Sequence, residues 1–395
     1  MSHWAILSIP NADADTCPNL IQFPQSMPTP NEKPHAPALK EMIDADRFRS
    51  IARDLKNIDP AFDPKKFLKL SLAGLGQLTL MQRLRRMTES LHATLPADYG
   101  AALDRLRALA PRIDKAFVTL VLPDFVGCYG HGHFEESMAA LKFFTPFGSS
   151  EFAVREFLRR DLPRTLLVMR GWSEDGDEHV RRLASEGCRP RLPWSFRLEA
   201  LIADPAPVLP ILENLKTDSS LYVRKSVANH LNDITKTHPD VVLERLRSWP
   251  LENPGTAWVA RQALRTLIKQ GHAPALQVIG ATGKPRVALT EVKLQPSRLR
   301  LGESFTLSCQ LSSRGTKTQR LVVDYAVHYV KKSSAASAKV FKWKEVTLPP
   351  GAVLTLSRRQ IIRDFTTRVH YAGRHEVEIL VNGQSLARTG FDLDC

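Results

Sequence analysis

LYVRKSVANHLNDITKTHPD, residues 221–240, decides how the chain is read. Val223, Val227, Leu231 and Ile234 recur at helical spacing and predict one buried face. Asn229, Asn232 and Asp233 sit in the middle of that helix, although their side chains compete for backbone hydrogen bonds. Ser226, Asn229 and Asp233, at offsets of 0, 3 and 7, form a polar stripe beside the apolar face. The stripe is expected to face a groove, because local rules fail most often where function needs them to. The alternative is that Asn229 and Asp233 tie neighbouring helices together.

The same pattern returns elsewhere. EFAVREFL at 151, EHVRRLAS at 178, LYVRKSVA at 221 and AWVARQAL at 257 each carry an apolar position, a basic residue, and a small or apolar residue about a turn later. Val154, Val180, Val223 and Val259 are separated by 26, 43 and 36 residues. Helical pairs at roughly 40-residue spacing mark HEAT-like solenoids, whose stacked repeats present an extended binding surface. A helical bundle with coincidental Val-Arg pairs is the other reading.

Around this centre the chain changes character twice. Residues 1–37 are rich in Pro, Asn, Asp and Ser and are expected to form a mobile tail. From 38 to 275 the pattern is helical, as in DRFRSIARDLK, PKKFLKLSLAGL, LTLMQRLRRMTESLHATL and YGAALDRLRALA. TLVLPDFVGCYGHGHFEE is expected to be irregular. Residues 276–286 read as a linker, including GATGK. From 287 to 395 the pattern alternates: FTLSCQLSS places Phe305, Leu307, Cys309 and Leu311 on one face. HEVEILVNGQ ends in an Asn-Gly hairpin signal. Several short strands over ~100 residues predict an immunoglobulin-like β-sandwich.

Composition narrows the partners. Lys and Arg number 55 against 41 Asp and Glu, a net charge of +14. That excess favours a polyanion, and nucleic acid is the usual one. The five scattered cysteines, with no C-x-x-C pair, argue against a disulfide framework and a zinc ribbon, and point to a reducing, cytoplasmic home. No secretory leader is read, and no apolar run approaches the ~18 residues of a membrane span. Phosphate-loop, dinucleotide-binding and nucleophile-elbow motifs do not occur. GHGHFEE holds His131, His133, Glu135 and Glu136, but H-x-H is a weak metal signal, and the segment reads as a polar loop.

LYVRKSVANHLNDITKTHPD, EHVRRLASEGCRPRLPW and SSEFAVREFL resemble the bacterial DNA alkylation repair glycosylases of the AlkC/AlkD type, with the better match to the AlkC branch. The resemblance extends over roughly residues 38–390, since the helical part and the following sandwich also fit the AlkC architecture. It implies an N-glycosylase without metal or cofactor, acting as a monomer on double-stranded DNA that contains alkylated bases. Small cationic lesions such as 3-methylcytosine, 1-methyladenine and 3-methyladenine are the implied substrates. The pocket positions it implies are Glu151, Glu186 and Asp233, with Trp194 against the lesion and Arg182 on DNA.

The residues themselves fit such chemistry. A cationic base leaves neutral, so cleavage needs little acid. It needs negative charge near C1′, where oxocarbenium character develops, and a carboxylate to position water. The other reading of each acid is that it pairs with a repeat arginine in a solvated or ladder salt bridge. The other basic residues of the central repeats, among them Arg181, Arg189, Arg191, Arg197, Arg224, Lys225 and Arg261, can grip phosphates, with Asn229 beside them. About half of the basic residues are expected to touch DNA. Trp172 is assigned to the core. Two other functions compete: a catalytically silent HEAT-repeat DNA-binding scaffold, which has no use for three acids in its groove, and a protein-interaction adaptor.

Overall fold

The computed structural model describes residues 39–114, 117–281, 283–332, 336–365 and 369–394. The expected tail at 1–37 lies outside them. Among the described residues sixteen α-helices precede eight β-strands. The chain divides into two compact units, one ending at Asp233 and the other beginning at Ile234.

In the first unit the four helices expected early in the chain form at Ala45–Ile58, Pro64–Leu72, Leu80–His92 and Tyr99–Leu109. Each starts where a side-chain oxygen, from Asp44, Asp63, Thr79 or Asp98, accepts a first-turn backbone N–H. The segment expected to be irregular corrects to the helix Val121–Tyr129, a turn, and the helix Phe134–Phe144. Val121 to Cys128 are all buried, so no amphipathic period shows in the sequence. Pro123 falls in the first turn, where a missing N–H costs nothing.

The repeat is real at the level of packing. Val154, Val180, Val223 and Val259 are each no more than 2% exposed. The first three lie near the starts of the helices Val154–Arg160, Glu178–Glu186 and Leu221–Ile234, and Val259 lies in the middle of Pro254–Ala263. In two repeats the arginine after the valine closes the turn that precedes its own helix. Arg181 Nη1 donates to the carbonyls of Asp175 and Gly176, while its Nε and Nη2 bond Asp218. Arg224 Nη1 donates to the carbonyls of Asp218 and Ser219 at 2.7 Å each. In these two repeats the Val-Arg pair packs a helix start and caps the turn before it.

The second unit opens with helical segments, including Pro239–Arg247, Pro254–Ala263 and Ala273–Val278, and continues as a sandwich. The strands are β1 (Val287–Gln295), β2 (Arg298–Arg300), β3 (Ser304–Ser313), β4 (Gln319–Val330), β5 (Ala336–Leu348), β6 (Val353–Ile361), β7 (Gly373–Val381) and β8 (Gln384–Asp394). They form sheets of order β1-β3-β6 and β2-β8-β7-β4-β5. Phe305, Leu307, Cys309 and Leu311 alternate inward, as expected, against Tyr325, Val377 and Phe391 of the other sheet. Asn382 and Gly383 join β7 to β8 with positive φ of 47° and 77°, the left-handed pair a two-residue hairpin requires. Cys188 and Cys309 are buried free thiols.

Candidate active site

Three acids converge in the first unit. Glu151 sits in the turn before the helix Val154–Arg160. Glu186 is the last residue of the helix Glu178–Glu186, which begins where Asp177 accepts the His179 N–H. Gly187 follows that helix, and a Cβ there would come within 2.5 Å of Val154 Cγ1, so glycine lets the two segments approach closely. Asp233 lies near the end of the helix Leu221–Ile234. Glu186 and Asp233 are 6% and 3% exposed.

Two arginines link the acids. Arg182 Nη1 stands 2.6 Å from Glu151 Oε2, and its Nη2 stands 3.7 Å from Glu186 Oε1. Arg189 Nη1 donates to Glu186 Oε1 at 2.6 Å, and its Nη2 lies 2.9 Å from Asp233 Oδ2. Burial by itself would lower both arginine pKa values. The facing carboxylates outweigh it and leave both raised. Three carboxylates face two guanidiniums through these ion pairs, and the charge of buried Arg155 also acts on Glu151 and Asp233.

Glu151 and Glu186 open onto a cleft of about 340 Å³, with Asp233 behind them, bonded to Arg189. Its polar lining is Ser149, Glu151, Glu186 and Arg189; its apolar lining includes Phe117, Phe152, Leu192, Pro193 and Trp194. Trp194 is 49% exposed and has φ 64°, a backbone region costly for a bulky residue. Trp172, by contrast, is core, at 6% exposed.

Several residues sit differently from their sequence reading. Arg189, expected on DNA, is 7% exposed and bonded within the acid network. Arg224, also expected on DNA, caps a turn. Arg261 forms an ion pair with Glu345 of the sandwich, beside a cleft of about 230 Å³ also lined by Lys269, Asp324 and Lys342. Lys225 is exposed and Asn229 half-buried. The polar stripe of the opening segment is not a groove lining throughout: Ser226 is 2% exposed, and Asp233 is held by Arg189.

Other contributors left little trace in the sequence. Ser149 Oγ donates to Glu151 Oε2 at 2.9 Å. The Arg182 guanidinium lies 4.8 Å from the centre of the Tyr222 ring, which supports it from below. His230, fully buried, has Nδ1 2.9 Å from the Ser185 carbonyl, so that nitrogen carries the proton and donates. This bond ties the helix of Asp233 to the helix of Glu186. Burial pushes the His230 pKa down to about 3 and keeps the ring neutral. The i, i+3 relation of His230 to Asp233 was the one sequence signal for it.

The chain is similar to known proteins along most of its length. The family model described as DNA alkylation repair enzyme matches residues 142–267, and that for the C-terminal Ig-like domain of the uncharacterised protein YhaZ matches 288–395. Uncharacterized protein YhaZ of Bacillus subtilis is 42% identical over 347 residues, which cover 88% of this chain and 96% of that protein. The alkylpurine DNA glycosylase AlkC of Pseudomonas fluorescens, solved bound to DNA containing an abasic site analog, is 55% identical. The match covers 91% of this chain and all of that one, with a TM-score of 0.88. A helical DNA alkylation repair region followed by an immunoglobulin-like domain is thus common to both chains, and this chain belongs to the DNA alkylation repair enzyme family, in its AlkC branch.

Proposed function

We propose that this protein is a DNA glycosylase of base excision repair that hydrolyses the N-glycosidic bond of cationic N-alkylated bases. 3-Methylcytosine, 1-methyladenine and 3-methyladenine are the proposed lesions. The observation that carries the reading is the linked set of Glu151, Glu186 and Asp233, of which Glu151 and Glu186 line a cleft edged by Trp194.

In the proposed reaction the C1′–N bond breaks and its electron pair passes to the base, which leaves neutral. Positive charge develops on the deoxyribose, where fixed carboxylates stabilise it. Water adds to C1′ and loses its proton to a carboxylate, giving an abasic sugar and a free base. Trp194 contributes ~0.5–2 kcal/mol of cation–π attraction to a charged base. Arg182 stays available to a phosphate through Nη2, which Glu186 holds only loosely at 3.7 Å. Lys225 and Asn229 supply further backbone contacts. Arg298, Arg300, Lys331, Lys332, Lys344, Arg358 and Arg359 of the sandwich are proposed to hold the duplex, adding affinity by effective concentration.

The helical region 38–275 is proposed as the glycosylase domain and 287–395 as the binding module. A silent DNA-binding scaffold would gain nothing from burying three acids, so enzymatic action is the better account. Incubation with methylated duplex DNA tests it: released free base supports it, and tight binding without release favours the scaffold.

A further inference from the structure

Arg155 is the largest fully buried side chain among the described residues, at 0% exposed. In the repeat pattern it is the counterpart of Arg181 and Arg224, which cap the turns before their own helices. Arg155 does something else. Its Nη1 donates forward to the carbonyls of Gly187 at 2.9 Å and Arg189 at 2.7 Å, and its Nη2 donates to the carbonyl of Phe196. Its guanidinium carbon also lies 5.3 Å from the centre of the Phe196 ring. Burial lowers its pKa to about 10, which leaves it charged at neutral pH.

These bonds grip both ends of the segment 187–196. Inside that segment lies Trp194, with φ 64°. A bulky residue persists in the left-handed region only where its surroundings over-determine it. A buried guanidinium spends its donors on carbonyls only where holding those carbonyls matters, since a charge in the interior is costly. Planar donors reaching three carbonyls at fixed angles are a property of Arg that Lys lacks.

We propose that Arg155 is a positioning residue: it clamps the 187–196 loop and so sets Trp194 at the edge of the cleft. It touches neither substrate nor the reacting atoms and acts through Trp194. Its consequence for excision rests on the glycosylase reading; its effect on the loop does not.

The test uses Arg155→Lys in the full chain, with Phe196→Leu as a milder variant that removes the ring beneath the guanidinium. Trp194 emission is isolated by subtracting the Trp194→Phe protein in each background. Both variants should make Trp194 more quenchable by acrylamide. Arg155→Lys should lower the single-turnover excision rate by about tenfold to a hundredfold, as misplacement of a positioning group does. Its affinity for undamaged DNA should stay unchanged. In a Trp194→Ala background, Arg155→Lys should cost less than about twofold, because coupled residues are non-additive. Unchanged quenching in both variants, or an equal loss with and without Trp194, would overturn the proposal. If the wild-type protein releases no base at all, the glycosylase reading fails, and quenching alone still decides the role of Arg155.

Discussion

Arg182 Nη1 lies 2.6 Å from Glu151 Oε2, and the two side chains are only 16% and 14% exposed. An acid read as part of the chemistry and a cation read as a DNA contact are thus partners in a shielded pair. Removing either leaves the other with unbalanced charge, so truncating one tests both. Variants that keep shape and change charge separate their roles.

Glu151→Gln and Glu186→Gln should each leave the fold intact and lower excision of a cationic base by about 10²–10³-fold, the usual cost of losing a fixed electrostatic group. Asp233→Asn should act in the same direction. Single-turnover rates with enzyme in excess check this. Wild-type rates in Glu151→Gln and Glu186→Gln would remove those acids from the chemistry.

Arg182 and Arg189 should behave differently on DNA. Arg182→Ala should reduce the log–log salt slope of binding by about 0.9, the share of one phosphate. Arg189→Ala should leave the slope unchanged, since Arg189 is 7% exposed and committed to Glu186 and Asp233. It should instead lower stability and excision together. Titrations of undamaged duplex at several salt concentrations distinguish the two.

Two buried groups give opposite responses to acid. Burial lowers the His230 pKa to about 3, so the unfolded chain binds a proton that the folded one refuses. Stability from His230 is present above an unfolded pKa of ~6.5 and is lost as pH falls toward the folded value. Burial raises the Asp324 pKa to about 6, so its contribution is present in acid and lost as pH rises through that value. Moving from pH 7.5 to 5.5 should cost the protein about 1 kcal/mol through His230 and return about 1 kcal/mol through Asp324. Denaturant titrations of His230→Gln and Asp324→Asn at both pH values should reveal the opposing slopes. The same pH response in both variants and wild type would refute the assignment.

Lys331→Glu combined with Lys332→Glu should weaken DNA binding yet leave single-turnover excision near wild type at saturating enzyme. Both lysines are exposed on the sandwich. Charge reversal is a cleaner test than cutting after Gly280, because Arg261 of the preceding helices is paired with Glu345. A Cβ on Gly280 would also lie 3.3 Å from Arg320. Unchanged affinity in the double variant would mean that this face does not hold DNA.

The helical half was legible where helices were amphipathic and capped, as at Ala45–Ile58, and illegible where burial on all sides erased the period, as at Val121–Tyr129. The strands showed their alternation in Phe305 to Leu311 and their turn in Asn382-Gly383. Glu151, Glu186, Asp233 and Trp194 were found through a family resemblance; their convergence was not visible in spacing. Basic residues were the least legible. A sequence records that Arg224 is cationic, but not that its donors are spent on the carbonyls of Asp218 and Ser219. Nor does it distinguish Arg155 from Arg181, since each directly follows a repeat valine, Val154 or Val180.

The central claim is that the carboxylates of Glu151, Glu186 and Asp233 serve a cationic leaving base. Its most direct test is release of free base from matched duplexes that carry one lesion each: 3-methylcytosine, 1-methyladenine, 3-methyladenine, and the uncharged 1,N6-ethenoadenine. The account predicts release of the cationic bases, abolished or strongly slowed in Glu186→Gln, and no comparable release of the neutral one. Equal release of the neutral base, or no release of any cationic base by the wild-type protein, would contradict it.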